Sequence, residues 1–348
     1  MCADLTAINA STGSTSATQL TRHNPQLQGP KTEEKVPQNA ILALENEITC
    51  NCSSARVLEL VGASLSANSQ TAYLSDVEHF LSWGGQIPAT PECLAEYLAA
   101  HADVLSIATL TRRLAALAKI HRSKGVDNPT TSELVRSVLR GLKRAKGTAQ
   151  REARPLLKED LLLVLEATGE RLKDIRDRAL LLIGFAGALR RSELTGLDVA
   201  DVERVRQGII LHLRRSKTDQ EGRGEKIGVP FGRASWCPVT ALGAWMEASG
   251  ITEGPIFRPI DRHGHLEHKR LSGEAVALVV RERVQAAGFD PVPYSGHSLR
   301  AGLATSAAEA GVPTWKIRTQ TRHRSDAMLA RYIRTGEIFV DNAAGVLL

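Results

Sequence analysis

Two short stretches near the carboxyl end carry side chains suited to work on a phosphate. Gly296-His297-Ser298-Leu299-Arg300 sets an imidazole and a guanidinium three residues apart, on one face of a helix. Further on, His323 stands nine positions ahead of Tyr332, which has Arg331 and Arg334 beside it in an otherwise apolar helical pattern. Guanidinium forks and imidazole N–H groups gathered around one phenol suit a phosphate better than other common substrate groups. A third stretch, Gly187-Ala188-Leu189-Arg190-Arg191-Ser192-Glu193-Leu194, holds Arg190 and Glu193 as an i, i+3 pair, so the carboxylate can orient the guanidinium. Lys217 lies 27 residues beyond Arg190, in the charged run Arg215-Ser216-Lys217-Thr218-Asp219.

The elements that must position these groups are mostly helices. Residues 158–168, 173–189, 239–248, 273–287, 297–310, 313–318 and 326–333 read as helical. Ile209 to Leu213 and Ile227 to Phe231 read as two strands joined by the loop that holds Lys217. The pattern from 56 to 146 is helical throughout. Ser69 and Thr71 look like helix-start residues ahead of Tyr73, Val77, Phe80, Leu81 and Trp83, and Pro91-Glu92 opens a second helix. In a third, Ile107, Leu110, Leu114, Leu117 and His121 share one side, with Arg112, Lys119 and Arg122 roughly opposite. In a fourth, from Ser132 to Lys146, Arg136, Arg140, Lys143 and Arg144 form an i, i+4, i+7, i+8 stripe against Val135, Val138, Leu139 and Leu142. Residues 147–155 are polar, aperiodic and end in Pro, as a linker does. Residues 1–55 are rich in Ser, Thr, Gln and Asn and read as a disordered arm.

Charge distribution points to a polyanion. The 348-residue chain has a net charge of +6, but residues 101–154 alone carry twelve Lys/Arg against four Asp/Glu, while residues 1–50 carry three against five. A basic block within a patterned, apolar-rich segment reads as a surface built for a polyanion, not a disordered tail, with a merely solvated face as the alternative. Two amphipathic helices with nearly all-cationic polar faces are suited to phosphate contact. Cys2, Cys50, Cys52, Cys93 and Cys237 are scattered and odd in number, so no disulfide framework is implied. His263, His265 and His268 are metal-ligand types, but a Gly- and Arg-rich loop with only Glu267 nearby reads more simply as solvated, and no metal is expected. No apolar run approaches a membrane span and the start lacks a secretory pattern, so the expected compartment is the cytoplasm.

The motif Leu189-Arg190-Arg191-Ser192-Glu193-Leu194, the loop Lys217, His297-x-x-Arg300, His323 and Tyr332, in this order, resemble the tyrosine recombinase (phage integrase) family, in a layout similar to the compact Cre-type members. The resemblance covers about 56–348, and its amino-terminal part, with Thr71, Tyr73, Asp76, Phe80 and Trp83, resembles that family's core-binding domain. It implies a mainly α protein: a helical, SAM-like core-binding domain over 56–146, and a catalytic domain over 156–348, mostly helical with a small antiparallel sheet, of the fold shared with type IB topoisomerases. It also implies DNA strand transfer without a cofactor, and four protomers on paired double-stranded sites exchanging strands through a Holliday junction. Accessory proteins are left open.

The chemistry agrees. Arg190 and Arg300 would hold the charge that develops on a phosphodiester under attack. Tyr332, with a reference pKa of about 10, needs a positive environment or a base to act as nucleophile. Lys217 is the natural donor to the leaving 5′ oxygen, and His297 and His323 can bind phosphate oxygens or relay the phenolic proton. Tyr73, Tyr97 and Tyr294 read as packing residues, and Trp315 as core. The family usually has Leu-Gly before this histidine; here Thr321-Arg322 stand there, and a left-handed turn would cost Arg322 what glycine avoids. Two other readings stay open, a non-catalytic DNA-binding regulator on the same scaffold and a type IB topoisomerase. The apolar end, from Ile338 to Leu348, is expected to pack on its own subunit or on a neighbour.

Overall fold

The computed structural model describes residue 56, residues 67–147, 153–214, 224–232, 236–323 and 325, residues 327–330 and residue 332. The expected amino-terminal arm, the Lys217 loop, the apolar tail and most of the expected linker lie outside the described residues. Contacts divide the chain into two compact units, one made of residues up to His101 with Leu110–Val138, the other of Ala102–Thr109 with Leu139 onward.

The first unit is helical. Helix α1 spans Ala67–Ser82, two residues earlier than the Ser69 start expected, and α2 spans Pro91–Ala100, with Pro91 in the first turn and the Thr90 hydroxyl accepting the Cys93 amide. Helix α3 spans Ile107–Ser123 and α4 Glu133–Lys146, the unit division falling inside both, after Thr109 in α3 and after Val138 in α4. Phe80, Leu94, Tyr97, Leu98, Leu110, Leu117 and Val135 close its core. His121 is fully buried: its Nδ1 lies 2.7 Å from the Leu117 carbonyl and its Nε2 accepts the Ala89 amide at 2.9 Å, the arrangement of a neutral ring. Buried Asp76 pairs with Arg112 at 2.8 Å and with Arg113 at 3.5 Å.

The second unit wraps helices around a three-stranded sheet. Helices α5 (Lys158–Glu166), α6 (Leu172–Ala186) and α7 (Arg191–Gly196) precede strands β1 (Val202–Val205), β2 (Gly208–Leu213) and β3 (Glu225–Pro230). The strands pair antiparallel in the order β1-β2-β3, with Val205 opposite Gly208 and Leu213 opposite Glu225. Helices α8 (Pro238–Ser249), α9 (Gly273–Ala286), α10 (Ser298–Glu309) and α11 (Thr314–Thr321) follow, and helical backbone returns at 327–330 and at Tyr332. This mostly helical fold with one small antiparallel sheet is the expected class. The sheet has a third strand that the sequence pattern did not show.

The apolar α6 lies at the centre, packed against α8 and α10, and Leu180, Leu181 and Ile183 are completely buried. Buried charge locks α9 to it: Asp177 takes Arg176 on one oxygen and Arg283 on the other at 2.6 Å, and Arg283 reaches Asp174 at 2.7 Å. Each ion thus has its partners, which offsets the cost of removing it from water.

The segment ahead of α5 is bound to the start of α10 and to the residues before it. The Arg154 amide donates to the Pro293 carbonyl at 2.8 Å and the Leu156 amide to Ser298 at 3.0 Å. Gly302 permits this approach, since a Cβ there would sit 1.8 Å from the Leu156 carbonyl oxygen. Trp315 departs from expectation. It is 66% exposed, with Lys316 over its ring, because α11 turns Ile317 inward instead.

Candidate active site

The expected catalytic residues that are described arrive at one place from several elements, His297 and Arg300 together from α10. Helix α6 stops at Ala186, and Ala188 takes a positive φ of 45°, turning the chain sharply so that Arg190 caps α7. Three residues on, buried Glu193 accepts the Arg190 backbone amide at 2.9 Å on Oε2 and the Arg190 guanidinium on Oε1. The i, i+3 pair seen in the sequence is therefore a carboxylate that holds an arginine by both main chain and side chain.

His297 caps α10, and Arg300 lies one turn along it. Arg300 is 1% exposed and donates from Nη1 to the Ala188 carbonyl at 2.8 Å. Its Nη2 is buried with no hydrogen-bond partner among the described residues. Burial, then the neighbouring Arg190 and Arg322, press the Arg300 guanidinium down to about 9, against the opposing pull of Glu193 and Tyr332. A cation held under such pressure is relieved by an anion.

Exposed His297 lies with Nε2 2.6 Å from the Tyr332 hydroxyl. His323 is buried, its ring 5.5 Å from that of Tyr332. The Thr321 hydroxyl donates to the Ile317 carbonyl at 2.7 Å and lies 2.8 Å from His323 Nδ1. With the hydroxyl proton so used, Nδ1–H is the donor, and Nε2 keeps its lone pair. Burial first, then the charges of Arg300, Arg190, His297 and Arg322, lower His323 to about 4, so it is neutral at physiological pH.

The turn before His323, put in question by the arginine at 322, is left-handed all the same. Arg322 ends α11 at φ 55°, ψ 43°, a conformation that costs a non-glycine residue roughly 1–2 kcal/mol. Its side chain compensates, donating to Glu193 at 2.6 Å and lying 3.3 Å from Glu225 at the start of β3. Burial raises the Glu193 carboxyl, but Arg322 and Arg190 together outweigh that and hold it below the usual carboxylate range. Gln320 adds bonds to the Ala186 and Gly228 carbonyls, at 2.7 and 3.3 Å.

Arg190, Glu193, His297, Arg300, His323 and Tyr332 are thus gathered, and Lys217 lies outside the described residues. Arg322, Gln320 and Glu225 were not singled out as site residues; the one signal was the arginine where the family usually has glycine. Of the other tyrosines, Tyr97 and Tyr294 are buried, as expected of packing residues. Arg112, Arg122 and Arg136 of the first unit and Arg140, Lys143 and Arg144 of the second are exposed and Lys119 is half-buried, with Arg112 also engaged by Asp76. Asp261 organises the histidine loop, accepting the His263 and His265 amides at 2.8 and 2.9 Å. Among the described residues no cluster has the makings of a metal site, and no helix is long and apolar enough to cross a membrane.

A buried guanidinium with an unpartnered N–H, beside a phenol in contact with an imidazole, is a constellation chemically suited to a phosphate. The phage integrase family matches residues 154–337, more than half of the chain. An integrase/recombinase xerD homolog of Selenomonas ruminantium is 39% identical over 310 residues, covering 86% of this chain and 90% of that one. Recombinase cre of Escherichia phage P1 is 27% identical, covering 75% and 79%. Among solved structures, a lambda integrase tetramer bound to a Holliday junction superposes with a TM-score of 0.54 at 18% identity, over 86% of this chain and 78% of that one. The chain belongs to the phage integrase family: it is a site-specific tyrosine recombinase, an enzyme of DNA strand transfer.

Proposed function

We propose that Tyr332 attacks a DNA phosphodiester, joining its phenolic oxygen to phosphorus as the bond to the 5′ oxygen breaks. Arg190 and Arg300 hold the non-bridging oxygens. His297 is within reach of the phenolic proton, and neutral His323 keeps a lone pair beside it. Lys217 protonates the departing 5′ oxygen. The product is a 3′-phosphotyrosyl link that conserves the bond energy, so a free 5′ hydroxyl from another strand can reverse the step and seal a new junction.

The observation that carries this reading is the pairing of His297 Nε2 with the Tyr332 hydroxyl at 2.6 Å near the unpartnered Nη2 of Arg300. Glu193 keeps Arg190 in register. Residues 56–146 serve as the core-binding domain, 147–155 as the linker and 156–348 as the catalytic domain. The exposed cations Arg122, Arg136, Arg140, Lys143 and Arg144, with Lys119 and Arg112, run along the DNA backbone. Four copies act together on paired double-stranded sites in the cytoplasm, strand by strand through a Holliday junction. The tetrameric state of the lambda integrase of similar fold supports this assembly.

A suicide duplex, nicked so that the short cleaved strand diffuses away, tests the chemistry. The chain is expected to trap itself covalently on such DNA at Tyr332. Binding without any adduct would instead mark a regulator, and relaxation of supercoils by monomers without products from paired sites would mark a topoisomerase.

A further inference from the structure

Among the described residues two besides glycine hold positive φ, Ala188 at 45° and Arg322 at 55°, and the two meet. The Ala188 carbonyl lies 3.4 Å from Arg322 Nη2 and accepts Arg300 Nη1 at 2.8 Å. Arg322 Nη1 donates to the carbonyls of Gln320 at 3.0 Å and Gly187 at 3.3 Å. Its shortest bond, 2.6 Å, runs from Nη2 to Glu193 Oε2. That oxygen also takes the Arg190 amide, while Oε1 takes the Arg190 guanidinium. Arg190 is therefore held by Glu193, and Glu193 in turn by Arg322.

A helix end alone does not explain this residue. Glycine makes the same turn without strain and puts no cation inside the protein. The Arg322 side chain is only 7% exposed, and its planar fork reaches the carboxylate and three carbonyls at once. Without it, Glu193 Oε2 would keep a single amide donor, and the carboxylate could swing and carry the Arg190 guanidinium with it.

We propose that Arg322 is a positioning residue for strand cleavage: it locks Glu193 so that Arg190 meets the phosphate in one orientation. This rests on the assignment of Arg190 to the phosphate above. Misplacing a transition-state contact by a fraction of its length is costly in rate while leaving binding nearly intact.

The test uses the full chain on a suicide duplex bearing the site that the wild-type chain footprints. Arg322→Gly and Arg322→Asn both accept the left-handed turn. Each should keep its melting temperature and its affinity for DNA, yet lose roughly ten- to a hundredfold in single-turnover cleavage at saturating DNA. Because Arg322 acts through Glu193, adding Arg322→Gly to Glu193→Gln should cost little more than Glu193→Gln alone. Wild-type cleavage in both arginine variants overturns the proposal, as do losses that multiply in the double variant. A rate that falls only in step with melting temperature marks a turn-making residue and overturns it too. Tyr332→Phe on the same duplex separates the two levels: an adduct persisting there removes the site assignment itself, whereas its absence alongside fully active Arg322 variants removes only the role of Arg322.

Discussion

The His297 imidazole and the Tyr332 phenol, 35 residues apart in the chain, are joined by a 2.6 Å hydrogen bond. The first lies at the amino end of α10, the second in the helical segment beyond α11. A phenol held against a ring nitrogen has somewhere to leave its proton at the moment of attack.

Tyr332→Phe should therefore retain site-specific DNA binding and form no covalent adduct on a suicide substrate. Tyr97 and Tyr294 cannot take over, because both are buried. Peptide mapping of any residual adduct to a second tyrosine would end the assignment.

The arginines and the lysine should separate by leaving group. Arg190→Ala and Arg300→Ala should each slow cleavage by about 10²–10³-fold, the usual cost of one preorganised donor to a developing oxyanion. Lys217→Ala should cleave a 5′-bridging phosphorothiolate well, since sulfur departs without a proton. Equal rescue of all three variants would show that Lys217 is not the general acid.

Replacing Arg136, Arg140, Lys143 and Arg144 together by neutral residues should weaken DNA binding and flatten its salt dependence, by a slope of about 0.9 for each phosphate no longer neutralised. Arg112→Ala should behave differently, lowering the melting temperature of the helical unit as well, because among the described residues it leaves buried Asp76 with Arg113 alone, at 3.5 Å. A titration from low to moderate salt checks the first and thermal unfolding the second.

His323 supplies a pH dependence. Its folded pKa of about 4 lies below the unfolded value of 6.5, so between these the unfolded chain binds more protons. The stability tied to neutral His323 is complete above about pH 6.5 and is lost as pH falls towards 4, a term of at most about 3 kcal/mol. His323→Gln should flatten denaturation midpoints across this window. A wild-type chain whose midpoint is level from pH 6.5 to 4, and unaltered in shape by that substitution, would contradict a buried neutral ring.

The helices and the reactive side chains were legible because each leaves a local mark: apolar spacing for α2 to α4, and residue chemistry for Arg190, His297, Arg300, His323 and Tyr332. Strand β1 left none. Its four residues, Val-Glu-Arg-Val, have half-buried ends and an exposed middle, so no alternation marks them, and only pairing with β2 makes them a strand. Trp315 misled because an indole at a helix start looks like core until Ile317 is seen to take the inward position. The left-handed bend at Ala188 was illegible in principle. Alanine has no preference for it, and what helps hold it is the guanidinium of Arg300, 112 residues away. Arg322 was half-legible: its place in the turn could be read against the family's usual glycine, its grip on Glu193 could not.

The contact between Gly302 and the Leu156 carbonyl sets a limit on mutational tolerance. Gly302 carries no chemistry, yet even one added methyl group must wedge the incoming segment away from α10, and Arg300 is only two residues back on that helix. Variation at this position is therefore constrained as tightly as at the reactive residues. In a library of random variants it should be as depleted as Tyr332, and its signature would be easily mistaken for that of a catalytic group.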